Sequence, residues 1–163
     1  MKRITIYQAG NSFFSNEQEA FALFNKSFFG EAKNGKVIYS IYEVLYLIEK
    51  EKAKINSKNE NNNLRKAKHS KEYIVFKDLR DKSHIVKEGL KFGTDFRVYD
   101  KNQIPGKNHA KYLLYILDKS KINTKDLTAK ARIAHSTAKA LLLAILDSEQ
   151  DVNYYEINWK NIL

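Results

Sequence analysis

The sequence predicts an α/β chain (α+β in some schemes) in two parts. Three observations lead there. Short β-rich runs alternate with helix signals in both halves of the chain. The composition changes abruptly between Lys50 and Lys71, where eight basic and two acidic residues leave little to build a core. The apolar fraction, 43% of 163 residues, is enough for packed interiors on either side of that change. The boundary falls near residue 70. A small N-terminal α/β domain covers 1–70, with a basic linker at about 50–70. A C-terminal domain at 71–163 has a mixed central sheet and flanking helices.

Taken in order, residues 4–7 (Ile-Thr-Ile-Tyr) alternate as a strand does. Ser15 precedes Glu17 and Glu19 and then Ala20, Phe21, Leu23 and Phe24, which predicts a helix capped by Ser15. Residues 36–40 are β-rich. Ser40 and Glu43 have capping-box spacing, and the helix behind them runs to about residue 53. The stretch 50–71 reads as a solvated or loosely helical connector. Beyond it, Tyr73, Phe76 and Leu79 predict a helix ending around His84. Phe96 to Tyr99 form a strand that runs into a polar turn, and Pro105-Gly106 marks a second turn. Residues 110–117 form a strand. Thr124 begins a helix whose small face is Leu127, Ala131, Ala134 and Ala138. An apolar run at 141–146, a polar turn at 147–151 and a last strand from Val152 to Trp159 complete the chain.

Composition also excludes chemistry. With no cysteine there is no disulfide, thiolate metal site, iron–sulfur cluster or thiol nucleophile. No apolar run approaches the roughly 18–20 residues of a membrane span, and the N-terminal residues lack the apolar core of a signal peptide. These features predict a soluble, cytoplasmic protein that engages no membrane. The net charge of +10 points toward a polyanionic partner.

Two decoys fail on context. Gly30 to Lys36 matches the first seven positions of a phosphate-binding loop, but Val37 stands where a magnesium-binding hydroxyl belongs. Helix–turn–strand is also the wrong setting for it. Glu31-Ala32-Lys33 supplies half of a restriction-type metal motif, yet the one proline, Pro105, precedes Gly106 rather than an aspartate. Neither His69, His84, His109 nor His135 is paired at helical spacing with another histidine, so a protein-held metal is not predicted. Phosphodiester cleavage by this chain would then use RNA's own 2′-hydroxyl. Such cleavage needs a base for the 2′-OH proton, an acid for the departing 5′-oxygen and a cation for the charge that builds on phosphorus oxygens. Histidine suits the acid and lysine the cation. A tyrosine serves as base where neighbouring positive charge favours its phenolate. With ten tyrosines in the chain, spacing alone does not select the trio.

A resemblance does select it. Leu90 to Lys101, containing Phe96-Arg97-Val98-Tyr99, resembles the strand and turn that carry the catalytic tyrosine of archaeal tRNA-splicing endonucleases. His109 follows Tyr99 by ten residues, as in that family. Ala131-Arg132-Ile133-Ala134-His135-Ser136-Thr137-Ala138-Lys139 resembles its Arg-Val-Ala-His-Ser-x-Arg-Lys run, and Leu142–Ile157 its last hairpin. The resemblance implies a restriction-nuclease-like C-terminal domain. It makes Tyr99 the general base, His109 the general acid and Lys139 the transition-state stabiliser. Arg132 becomes the guanidinium that stacks on a flipped base of the RNA. His135 is treated as structural and partly buried. The implied substrate is precursor tRNA folded into a bulge-helix-bulge, cut without cofactor or metal to leave 2′,3′-cyclic phosphate and 5′-hydroxyl ends. Two bulges imply a tetramer, either of one chain or shared with a structural subunit. Asp147, Glu149 and Asp151 would then enter a neighbour's basic cleft, and the terminal aromatic strand would pair with another chain. The family's flanking cations are replaced by Ala138 and Ala140, which predicts a weaker local field and weaker RNA affinity. Two other readings stand beside this one: a non-catalytic subunit of the same complex, and a basic RNA-binding module without chemistry.

Overall fold

Ile4 and Ile6 alternate with Thr5 and Tyr7, and the backbone follows that period: β1 (Ile4–Ala9) buries both isoleucines completely. A turn at Gly10 returns the chain as β2 (Ser12–Ser15), antiparallel to β1. Ser15 therefore ends a strand rather than starting a helix. Pairing with Val37 draws it into the sheet, where it is wholly buried and its Oγ accepts from the Glu17 amide at 3.3 Å. Helix α1 (Gln18–Ser27) begins at an N-cap of Glu17, whose carboxylate takes the Thr5 amide at 3.0 Å instead of capping its own helix. The computed structural model describes residues 2–56, 62–101, 103–117, 122–160 and 162.

The false phosphate loop proves to be a hairpin. β3 (Glu31–Lys33) and β4 (Lys36–Tyr39) pair across Asn34-Gly35, both with positive φ, as a two-residue turn matching strand twist requires. Gly30, at φ +76°, has its own reason: a Cβ there would overlap Val37 Cγ1 and lie 2.8 Å from the Ile38 carbonyl oxygen. Helix α2 (Ile41–Glu49) opens with the reciprocal Ser40–Glu43 capping box. It stops short of residue 53 because β5 (Ala53–Asn56) joins the sheet parallel to β1. The sheet order is β3-β4-β2-β1-β5. Part of the basic stretch is thus strand, and part is α3 (Asn62–Lys68), a helix with no buried residue. Residues 57–61 of it lie outside the described residues.

Glu43 carries more than a cap. Its carboxylate, 4% exposed, accepts the amides of Ser40 and Gly30, both at 2.9 Å. Glu43→Ala strands two largely buried donors, so urea unfolding should report a loss of about 2–4 kcal/mol.

The chain divides into two compact units, residues 1–73 and 74–163, within α4 (Lys71–Asp81). In the second unit a five-stranded sheet runs in the order β10-β9-β8-β7-β6. Its strands are β6 (Ile85–Glu88), β7 (Phe96–Tyr99), β8 (Tyr112–Leu117), β9 (Ala140–Leu146) and β10 (Val152–Ile157). All neighbours are antiparallel except β8 and β9. A parallel pair cannot be closed by a tight turn, and α5 (Thr124–Ser136) lies in the crossover between them. Asn123 caps α5 by accepting the amides of Lys125 and Asp126. Ala134 packs with Leu113, Leu141 and Leu143 in a core that Leu127, Ala131 and Phe92 flank. Small residues on that stripe let the helix sit close to the sheet. Phe76 and Phe96 pack at 5.9 Å between centroids. Tyr154 donates to Asp78 at 2.7 Å, and burial followed by that bond pushes its phenol well above the usual range.

Candidate active site

Tyr99 is the last residue of β7 and is 5% exposed. Residues two apart on a strand share a face, and Arg97 reaches its neighbour: Arg97 Nη1 donates to the Tyr99 hydroxyl at 3.5 Å. Arg97 is itself anchored, its Nε donating to the Glu88 carbonyl at 2.9 Å. Between β6 and β7 a 3-10 turn (Leu90–Phe92) carries Lys91 and Phe92. Gly89 permits this turn to close, because a Cβ there would lie 2.6 Å from Thr94 Oγ1.

The β7–β8 loop presents His109. Asp100 caps it at one end, accepting the Lys101 amide at 2.9 Å and the Lys111 ammonium at 3.1 Å. Those two bonds hold the Asp100 carboxyl below the usual carboxylate range. Asn108 closes the inner turn, its Oδ1 accepting from the Ile104 amide at 2.9 Å and its own amide donating to the Ile104 carbonyl at 2.8 Å. Gly106 supplies the positive φ the turn needs, +89°. Ala110 is buried and His109 exposed, so the loop is pinned on both sides of the imidazole.

Lys139 is placed by the end of α5. Ala138 takes a left-handed φ of +54°. Its amide donates to the His135 carbonyl at 3.0 Å, and the Lys139 amide reaches back to the Ala134 carbonyl at 2.8 Å. This paired pattern is a Schellman termination, and it turns the chain sharply from helix into β9. The Lys139 ammonium donates to the Thr137 carbonyl at 2.7 Å. An ammonium has three donors, so an anion can take the others. Burial first, then the charges of Arg97 and Lys91, hold Lys139 below the usual lysine range. Removing a neighbouring positive charge should reverse part of that. In an NMR titration Lys139 should lose its proton at lower pH than exposed lysines, and Lys91→Ala should move its midpoint upward.

These segments converge. Tyr99, His109 and Lys139 line one cavity of about 350 Å³ together with Lys91, Phe92 and Arg97. His109 and Lys139 also line a neighbouring cavity of about 580 Å³, with Gln103, Asn108, Lys111, His135 and Asn158. Arg132 lies exposed on α5 and lines neither. Asp147, Glu149 and Asp151 are exposed in the β9–β10 turn, where Asp147 Oδ1 accepts the amides of Glu149 and Asp151, each at 2.9 Å. His135 is exposed rather than partly buried. Ala134 takes the core-facing position of α5, so its neighbour points away, against the Trp159 ring at 4.7 Å. Arg97 and Lys91 are the site residues that sequence reasoning passed over. The signal for Arg97 was available, since it stands two positions from Tyr99 on one strand. Among the described residues no three histidine, aspartate or glutamate side chains converge as a metal site, and no helix is long and apolar enough to cross a membrane.

A profile of the family described as "tRNA intron endonuclease, catalytic C-terminal domain" matches residues 69–154. The chain is 36% identical to the tRNA-splicing endonuclease of Thermococcus kodakarensis, over 96% of this chain and 98% of that one. Against the enzyme of Pyrococcus horikoshii identity is 37%, over 97% of each chain. The corresponding enzyme of Methanothermobacter thermautotrophicus is 33% identical over 84% of this chain. Similarity of that extent over nearly the whole length makes the chain a member of the archaeal tRNA-splicing endonuclease family.

Proposed function

We propose that this chain excises introns from precursor tRNA at bulge-helix-bulge sites by attack of the RNA's own 2′-hydroxyl. The observation that carries the reading is the shared cavity, in which a strand end, a loop and a helix terminus each contribute one of Tyr99, His109 and Lys139. Tyr99 removes the 2′-OH proton. The 2′-oxygen attacks phosphorus, the bond to the 5′-oxygen breaks, and His109 delivers a proton to that leaving oxygen. Lys139 offsets the charge that develops on the non-bridging oxygens. The products are a 2′,3′-cyclic phosphate and a 5′-hydroxyl, with atoms and protons balanced and no metal required. Arg97, which donates to the tyrosine oxygen, sets a positive charge beside the atom that takes the proton. With Lys91 it supplies positive charge that Ala138 and Ala140 do not.

Arg132 is read as the guanidinium that stacks on a bulge base, its exposure leaving the plane open. The exposed acidic turn at Asp147, Glu149 and Asp151 engages a basic surface of a neighbouring subunit, and β10, an edge strand with Tyr155 56% exposed, offers a pairing edge. Such contacts would hold two sites at the fixed separation two bulges require, in a tetramer. Incubating the protein with bulge-helix-bulge RNA in EDTA tests the central claim. Cleavage with cyclic-phosphate ends is the expected result, whereas loss of cleavage in chelator, restored by a divalent ion, would overturn the metal-free chemistry.

A further inference from the structure

Two cavities meet at His109 and Lys139, and only the smaller contains Tyr99. The proposed cleavage chemistry gives this asymmetry a direction, and the role assigned to the larger cavity rests on that chemistry. The 2′-hydroxyl belongs to the nucleotide on the 5′ side of the cut, and it must sit beside Tyr99. The departing 5′-oxygen belongs to the nucleotide on the 3′ side, and it must sit beside His109. A strand whose scissile phosphate lies between His109 and Lys139 therefore leaves its 3′ nucleotide facing the larger cavity.

That cavity suits a nucleoside. Its volume, about 580 Å³, lies within the roughly 300–1,000 Å³ of ligand-sized pockets. None of its lining residues is acidic, and three bring side-chain amides: Gln103 and Asn108 accept backbone amides through their oxygens, which leaves their NH2 groups to donate, whereas Asn158 donates to Glu156 and keeps its oxygen to accept. One wall is the imidazole of His135, whose ring lies against Trp159 at 4.7 Å and 39°. His135 is exposed, and an exposed aromatic ring with an aromatic neighbour is a surface on which a base can stack. We infer that the larger cavity is a subsite for the nucleoside immediately 3′ of the cleaved bond, with its base stacked on His135 and its edge met by the Asn158 amide. His135 is then a substrate-positioning residue rather than a structural one, and Trp159 holds its ring in place.

The test uses the full chain and a bulge-helix-bulge RNA made uncleavable by a 2′-deoxy nucleotide on the 5′ side of the cut. A matched RNA has an abasic nucleotide on the 3′ side. Wild-type protein should bind the abasic RNA roughly tenfold more weakly than the intact one. His135→Ala should bind intact RNA weaker by about the same factor, yet lose nothing further on abasic RNA. His135→Phe, which keeps a ring, should recover most of the loss. Asn158→Ala should change the preference among the four bases at that position. Equal binding of both RNAs by wild type would overturn the subsite, as would an equal loss by His135→Ala on both. A fall in assembly mass on Trp159→Ala, with RNA discrimination unchanged, would place Trp159 in a subunit contact and also overturn it. Failure of every form to bind either RNA would instead defeat the cleavage reading itself, and the subsite with it.

Discussion

His109→Ala should cleave bulge-helix-bulge RNA about 10²–10⁴-fold more slowly in single turnover while binding it within about twofold of wild type. Both halves of that result follow from where the imidazole sits. Its proposed task is confined to the leaving oxygen, which carries little charge until the phosphorus–oxygen bond breaks. Removing the proton donor raises the barrier and leaves the ground state nearly unchanged. The loop does not depend on it for shape: the bonds that hold residues 100–111 come from Asp100, Gln103 and Asn108. A change in folding is therefore not expected, and thermal unfolding should remain where it was. A variant that cleaves as fast as wild type would reduce His109 to an ordinary exposed histidine. A variant that binds RNA far more weakly would make it a binding residue.

Elements whose signals are local were readable in the sequence. The Ser40–Glu43 capping box formed as spaced, because both its bonds close within four residues. The strand read at 4–7 runs on to Ala9, the strand at 96–99 has the bounds read for it, and the apolar run at 141–146 lies within β9. What escaped reading depends on distant partners. Ala53–Asn56 has too few apolar residues to announce a strand, and it becomes one because β1 offers a free edge. Ser15 looked like a cap until β4 claimed it. The turn at Gly35 and the β-rich piece after it were legible, but β3 was not, because all three of its residues are exposed and show no apolar alternation. At the site, Tyr99, His109 and Lys139 were singled out by resemblance, since no spacing rule brings positions 99, 109 and 139 together. Their meeting depends on sheet order. β7 lies beside β8, and β8 is parallel to β9, so the end of β7, the loop before β8 and the start of β9 fall on one side of the sheet. Arg97 was passed over because resemblance directs attention to the residues a motif names, whereas its contact with Tyr99 is a hydrogen bond of the folded chain.

Tyr99→Phe separates the two readings of that tyrosine more cleanly than any other substitution. The ring is buried at the end of β7, and phenylalanine fills the same space, so a tyrosine that merely packs should be replaced with little consequence. A tyrosine that abstracts a proton should not: cleavage should fall about 10²–10⁴-fold with the fold and RNA affinity retained. The Arg97 contact sharpens the comparison. In wild type the guanidinium donates to the phenolic oxygen at 3.5 Å, so a positive charge stands beside the atom proposed to take the proton. Arg97→Gln keeps the chemistry but removes the charge. It should slow cleavage less than Tyr99→Phe does, by about tenfold. In Tyr99→Phe no oxygen remains for Arg97 to act on, so adding Arg97→Gln should cost little more. Additive losses in the double variant would show that Arg97 acts on the RNA directly, through its own charge on the phosphate, and not through the tyrosine.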